Sequence, residues 1–176
     1  MDIQLPVLYL AIFLVLLSAS SWFVLRQVLR TRKVESKFAN LQKKLKQEKG
    51  TAEDYYELAS IYLDKRMFTQ SLGLFQKALK AGNDLESANL ALIYNGLGFA
   101  YFSQEQHDLA MRQYKEAIKL NPEYVVALNN LALAYERKQL INQALQTYEE
   151  ALKFEPNNTT AKSRVDSLRK RFIPSS

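Results

Sequence analysis

A sequence period of about 34 residues is the feature that most constrains how this chain folds. A pattern of large, small and turn-forming residues over 94–122 recurs over 128–156. The first copy consists of Tyr94, Leu97, Gly98, Tyr101, Ala110, Tyr114, Ala117 and Pro122, and the second of Leu128, Leu131, Ala132, Tyr135, Ala144, Tyr148, Ala151 and Pro156. Self-similarity at a fixed period of this length is typical of stacked supersecondary units that share one continuous core.

A third copy of the pattern lies upstream. Its members are Tyr55, Leu58, Ala59, Tyr62, Ser71, Phe75, Ala78 and Asn83, with Ser71 in a small position and Asn83 in the proline position. Its offset from the next copy exceeds the period, and the extra residues, five in all, lie near 81–90. Because no strong helix breaker separates Leu85 from Gly96, we expect the extra residues to lengthen the following helix backwards.

This pattern resembles the tetratricopeptide repeat (TPR) over residues 52–85, 91–124 and 125–158, about three fifths of the chain. The resemblance implies that each unit is a pair of antiparallel helices, which small residues such as Gly98 allow to approach closely. We further expect Gly82-Asn83-Asp84 to end one helix and start the next. We also expect Asn121 to cap the third unit's first helix and Pro122 to begin it.

A long apolar segment precedes the repeats. Residues 3–25 contain no charged side chain, and as a helix they would span roughly 34 Å, enough to cross a hydrocarbon core of about 30 Å. A cleaved signal peptide is the alternative, with Ser18-Ala19-Ser20 providing the small residues of a cleavage site. We favour an uncleaved transmembrane anchor, because the positive charges lie after the apolar stretch and not before it. The same asymmetry predicts that the repeats face the cytoplasmic side.

The net charge of +6 is concentrated in two segments. Residues 26–49 hold nine basic and two acidic side chains, residues 50–158 ten basic and fourteen acidic, and residues 159–176 five basic and one acidic. A basic run beside an apolar span is a topology signal, so nucleic acid is not an expected partner. The run reads as a helix with an apolar stripe of Val34, Phe38, Leu41 and Leu45. That stripe packs on the following domain, lies along an anionic leaflet, or forms a short coiled-coil seam.

The last segment is expected to cap the stack. Over 160–172, Ala161, Val165, Leu168 and Phe172 form an apolar stripe opposite Lys162, Arg164, Arg169, Lys170 and Arg171. We interpret the basic residues as a solvated cap face in preference to a second contact with anionic lipid. The predicted fold is therefore all-α: an N-terminal transmembrane helix, a three-repeat TPR α-solenoid and a C-terminal capping helix. The predicted segments are an anchor over 1–25, a basic connector over 26–50, repeats over 51–158, and a cap and tail over 159–176.

Composition argues against catalysis. The chain has no Cys, one His and five Gly. Thiolate chemistry is therefore excluded, and a His-rich metal site, a Ser-His-Asp triad or a phosphate-cradling loop is disfavoured. We expect His107 to be a surface residue in the turn between the two helices of the second unit. We expect no cofactor, no metal site and no enzymatic activity.

The resemblance implies a concave face lined mainly by the first helix of each unit. The groove positions of the family fall on Tyr56, Ser60, Leu63, Asn95, Phe99, Phe102, Asn129, Leu133 and Arg137. Apolar anchors and amides suit an extended peptide or a helix. Asn95 and Asn129 occupy equivalent positions, and they either pair with the backbone of a bound peptide or only solvate the groove.

One partner class is disfavoured. Repeat domains that grip the acidic carboxyl terminus of cytosolic heat-shock chaperones use a clamp of basic and amide residues. The clamp positions here hold Tyr56, Ser60, Gly96, Val126 and Asn130, without a cation. We therefore do not expect that chaperone-adaptor role.

The whole layout resembles the membrane-anchored TPR assembly factor for photosystem I of cyanobacteria and plastids. The junction Leu-Arg-Gln-Val-Leu-Arg-Thr-Arg-Lys at 25–33 adds to this resemblance. It implies a single-pass protein of the thylakoid membrane, with its repeats on the cytoplasmic or stromal side, that holds photosystem I subunits or assembly intermediates. The alternative function is a membrane-anchored receptor or adaptor that binds targeting or C-terminal peptides in the groove.

Overall fold

A computed structural model describes residues 4–82 and 84–172. Within these ranges the chain forms helices and no strand, so the predicted all-α fold is confirmed. The helices are α1 (Gln4–Gln47), α2 (Ala52–Asp64), α3 (Phe68–Ala81), α4 (Ser87–Ser103), α5 (His107–Leu120), α6 (Val125–Arg137), α7 (Ile141–Phe154) and α8 (Thr159–Phe172). The chain divides into two compact parts, Met1–Gln47 and Glu48–Ser176.

The N-terminal part is the single unbroken helix α1, which is 44 residues long. It is long and apolar enough to cross a membrane, by length and composition. Its apolar side chains from Val7 to Val34 are exposed, and Trp22 and Phe23 each expose about seven tenths of their surface, whereas Leu41 near the end of the helix is only 8% exposed. The hydroxyls of Ser18 and Ser20 donate to the helix's own carbonyls at 2.8 Å, so these two polar groups need no water.

The C-terminal part is a series of helical hairpins. Helices α2 and α3, α4 and α5, and α6 and α7 pair within the three repeat units, and each helix packs on the next along the chain. The close approach inside the second hairpin depends on Gly98. A Cβ added there would lie 2.6 Å from Cε1 of Tyr114, and that tyrosine is only 1% exposed.

The extra residues before the second unit lengthen its first helix. Helix α4 has 17 residues, whereas α2 and α6 have 13 each. This confirms the expected backward extension. Gly82 caps the preceding helix α3, but α4 begins only at Ser87. The proposed proline equivalent, Asn83, lies outside the described residues.

Two local predictions were wrong. Asn121 is the C-cap of α5 and not the N-cap of α6, which begins at Val125. Its N–H donates to Ala117 O at 2.9 Å, and its carbonyl accepts from Tyr124 N at 3.1 Å. Pro122 is therefore the second residue of a turn, where its fixed φ is also favoured. His107 is the first residue of α5, not a turn residue, and is half-buried.

Helix α8 occupies the position of a first helix, next to the third unit. It begins at Thr159, one repeat period after α6 begins at Val125, and Ala161, Val165 and Leu168 are buried as predicted. The side chain of Asn158 caps the start of α8, because its Oδ1 accepts a hydrogen bond from Ala161 N at 2.9 Å. Phe172, which was expected in the same buried stripe, is 46% exposed, because it lies at the helix end beyond the neighbouring helices' core.

Gly73 provides a test of the helix energetics. It lies inside α3, is exposed, and a Cβ added there would meet no atom within 4 Å. Gly73→Ala should therefore raise the free energy of unfolding by about 0.5–1 kcal/mol, because alanine loses less backbone entropy in a helix. Denaturant unfolding of the full chain in detergent measures the change. A loss of stability would show that this helix face is not free.

Candidate protein-binding groove

The candidate groove residues lie on the first helices α2, α4 and α6, three on each. Along α4, Leu92, Asn95 and Phe99 are spaced three and four apart and so share one helix face. Equivalent residues follow on α6, namely Val126, Asn129 and Leu133. Since neighbouring first helices also pack on each other, these faces form one continuous surface.

Exposed apolar side chains dominate the middle of this surface. Phe99 is 42% exposed, Leu92 37% and Val126 53%. Sequence reasoning identified Phe99 but did not count Leu92 and Val126 among the groove residues. Their signal is an apolar residue in the same early turn of two successive first helices, one repeat period apart. Exposed apolar area on a monomer is typical of an interaction site.

The asparagines are partly used by the fold. Asn95 Nδ2 donates to Tyr124 Oη at 3.3 Å, and Asn95 Oδ1 accepts from Asn130 Nδ2 at 2.9 Å. One unit later, Asn129 Nδ2 donates to Asn158 Oδ1 at 3.3 Å. These bonds join each first helix to the start of the next unit. We conclude that both amides hold neighbouring units in register, a role that neither sequence-based interpretation included.

The side-chain oxygens of Asn95 and Asn129 differ in their hydrogen bonding. Among the described residues, Asn129 Oδ1 is buried without a hydrogen-bond partner. Asn130 donates to the Asn95 side-chain oxygen. One repeat period later, the position equivalent to Asn130 holds Arg164. That guanidinium lies 3.7 Å from Glu136 Oε2 instead. The register bonds are therefore weaker at the junction with the cap than between the second and third units.

Tyr56 lies on α2, at the end of the groove that the first unit forms. Its ring centroid is 5.9 Å from that of Phe75. Burial raises the pKa of Tyr124, and the nearby Tyr56 raises it further, while the bond from Asn95 lowers it. Tyr56 of the first unit therefore lies near the bonded pair of Asn95 and Tyr124 in the second unit.

A pocket of about 230 Å³ opens beside Tyr56. It lies between α2 and the extended start of α4, and its walls are Ala52, Glu53, Tyr56, Glu57, Leu85, Asn89, Leu92 and Ile93. The extra residues of α4 thus add a wall that an ordinary unit lacks.

The remaining predicted groove residues differ in access. Leu63 and Phe102 pack against core clusters, with the Phe102 ring centroid 5.0 Å from that of His107. Ser60 donates to Tyr56 O at 2.9 Å, and Arg137 is exposed. Of these four, Arg137 is therefore the most accessible to a partner.

No group of three or more His, Asp or Glu residues that could hold a metal occurs within 4–82 and 84–172. The surface formed by the first helices offers exposed apolar area and amide side chains. Surfaces of this composition are suited to contact with another protein.

Comparisons with known proteins agree with this geometry. The family model described as "TPR repeat" matches residues 98–139, and the "Tetratricopeptide repeat" model matches 125–158. The protein MamA has a similar solved structure, with a TM-score of 0.71, 22% identity and coverage of 81% of each chain. That likeness shows the fold.

Three curated relatives extend the similarity beyond the repeats. A protein named ycf37 from Cyanophora paradoxa is 38% identical over 68% of this chain and 69% of its own length. A chloroplastic tetratricopeptide repeat domain-containing protein, PYG7 of Arabidopsis thaliana, is 34% identical over 97% of this chain and 56% of its own length. The ycf37 protein of Pyropia yezoensis is 33% identical over 97% of this chain and 98% of its own. The chain belongs to the ycf37 family of tetratricopeptide repeat proteins.

Proposed function

We propose that this protein is a membrane-tethered scaffold that binds protein partners in its concave groove and assists the assembly or stability of photosystem I. The observation that carries the proposal is the groove itself, with Phe99, Leu92 and Val126 exposed on adjacent first helices. TPR domains bind proteins or peptides.

The tether is helix α1. Its residues from Val7 to Leu25 are exposed throughout and almost wholly apolar, and such a surface is stable in lipid and unfavourable in water. The nine cations over 26–49 favour an orientation with the repeats on the cytoplasmic or stromal side of the membrane. The chloroplastic relative supports a thylakoid location.

Photosystem I is the proposed client because of the layout. An apolar span, a basic connector and three repeats recur together in the assembly-factor family that the sequence resembles. The similarity to the ycf37 protein of Pyropia yezoensis covers 97% of the chain. Anchoring the groove at the bilayer confines its encounters with membrane-bound subunits to two dimensions. This raises the effective concentration of those subunits without any new contact.

A receptor for targeting or C-terminal peptides is the second candidate. The pocket beside Tyr56 favours it, since a volume of about 230 Å³ fits one side chain of an extended segment. The two candidates differ in what the groove retains: integral subunits for a scaffold, short soluble segments for a receptor.

Phe99→Ala separates these possibilities. Phe99 is 42% exposed, so its replacement by alanine should change the free energy of unfolding little. A central aromatic anchor contributes about 2 kcal/mol or more to binding, so the same change should weaken partner affinity roughly 30-fold. Affinity purification from photosynthetic membranes should then lose integral photosystem I subunits. Phe102 is unsuitable for this test because it packs against the core.

Phe154→Ala is the matched control. Phe154 is also 42% exposed but lies on the second helix α7, away from the groove. We expect its purification profile to equal that of the unmodified chain. Selective loss of short soluble peptides in the Phe99 variant would favour the receptor, and an unchanged profile would contradict binding through this groove.

A further inference from the structure

The repeat topology gathers one set of turns on one edge of the repeat stack. All first helices run in one direction and all second helices in the other, so the turns that follow α2, α4 and α6 lie side by side. The salt bridge of 3.0 Å between Lys138 Nζ and Asp108 Oδ2 links the turn after α6 to the start of α5, beside the turn after α4. Helix α8, being a first helix, ends on the same edge. We call residues 65–67, 104–106, 138–140 and 170–172 the turn edge.

The backbone geometry of these turns is uniform. Arg66, Glu105 and Gln139 adopt φ near 60° at equivalent positions, and each donates its N–H to a carbonyl three residues earlier at 2.8–3.0 Å. The next residue of each turn is the N-cap of the return helix. The side chains of the turn edge are therefore held on an ordered backbone.

The two edges of the repeat stack differ in charge. The turn edge and the helix ends beside it carry Lys65, Arg66, Arg137, Lys138, Lys170 and Arg171 against Asp64, Glu105 and Asp108. The turns on the opposite edge carry Asp84, Glu86, Glu123 and Glu155, preceded by single lysines at the ends of the second helices. The turn edge is thus the basic edge of a domain whose repeats are acidic as a whole.

Exposed apolar side chains accompany those cations. Met67 is 38% exposed, Leu140 37% and Phe172 46%. The guanidinium of Arg171 lies 5.2 Å from the ring centroid of Phe172. The three apolar residues belong to the first unit, the third unit and the cap, so they are spread along the edge and do not gather into one pocket.

We infer that the turn edge rests on the surface of an anionic lipid bilayer. Cations interleaved with single apolar side chains match the headgroup region, which attracts basic residues and accepts amphipathic or apolar ones. Contact residues spread along an edge fit the flat surface of a bilayer. A protein interface, by contrast, usually concentrates its binding energy in one cluster of residues. The basic residues of α8 alone would be explained by a solvated cap. The turns beside the end of α8 add the further cations and apolar side chains that favour contact with lipid. The inference rests on the membrane tether of the proposed function.

A single-cysteine experiment tests the inference, because the chain has no native Cys. Leu140→Cys and Phe172→Cys place a fluorescent label on the turn edge. Phe154→Cys is the matched control, since Phe154 is similarly exposed but lies at the end of α7, on the opposite edge. The full chain is inserted into nanodiscs that contain about 30% phosphatidylglycerol, an anionic lipid, and quenching by spin-labelled lipid is measured.

We expect quenching at positions 140 and 172 to be at least about twice that at 154 on anionic discs, and to fall to the control level on phosphatidylcholine discs or in about 0.5 M salt. Arg66→Glu with Lys170→Glu should remove the difference. Lys119→Glu with Lys153→Glu, on the opposite edge, should preserve it. Equal quenching at all three positions, or a difference that persists on neutral lipid, would overturn the inference. A chain that does not remain with the discs at all would overturn the tether as well.

Discussion

Deleting residues 4–25 is expected to move this protein completely from the membrane fraction to the soluble fraction. The deleted part of α1 is the exposed apolar surface that only lipid covers favourably. The basic residues that remain each add about 1 kcal/mol of attraction to an anionic surface, and salt screens that attraction. Fractionation should therefore include a high-salt wash.

The control replaces the same segment with an unrelated leucine-alanine sequence of equal length. That chain should stay in the membrane pellet through high-salt and alkaline washes, because length and apolarity determine insertion. Retention of the deleted chain through both washes would contradict the tether, since α1 is the one helix within 4–82 and 84–172 that is long and apolar enough to span a bilayer.

Phe75→Ala is expected to lower the free energy of unfolding by about 3–5 kcal/mol. Phe75 is 0% exposed and lies in a core cluster with Ala59, Ile93 and Leu97, between the first and second units. A Cβ added at Gly96 would lie 2.5 Å from the Phe75 ring, so that glycine makes the space that the ring fills.

Denaturant unfolding of the full chain in detergent measures this loss. Phe154→Ala again supplies the control, since the same substitution at an exposed site should change stability by less than about 1 kcal/mol. A loss of that small size for Phe75→Ala would mean that the first two units do not share a core.

The periodicity predicted the fold well because it reports packing directly. Small and large residues recur where helices meet, and this was sufficient to predict the helical hairpins, the lengthened α4 and the buried stripe of α8. Exposure at an element's end was less predictable. Phe172 continues the apolar spacing of α8, but no helix among the described residues lies beyond it to cover the ring.

Ambiguous local signals account for the boundary errors. Asn121-Pro122 is equally suited to a helix start and to a turn, and the bond from Asn121 N–H to Ala117 O decides in favour of the turn. The asparagine bonds were invisible in the sequence because each partner is distant along the chain. Tyr124 and Asn158, which bond to Asn95 and Asn129, lie at the starts of the following first helices α6 and α8. The apolar groove residues Leu92 and Val126 were detectable in the sequence only as apolar residues one repeat period apart, and their exposure became evident only from the structure.

Photosystem I content after loss of this protein tests the central claim most directly. In a photosynthetic cell that encodes the chain, its deletion should lower the amount of assembled photosystem I per cell while photosystem II content is maintained, and the effect should be largest under demanding growth conditions. Restoring the unmodified chain should recover photosystem I, and restoring Phe99→Ala should not. An unchanged photosystem I content under those conditions would contradict the account.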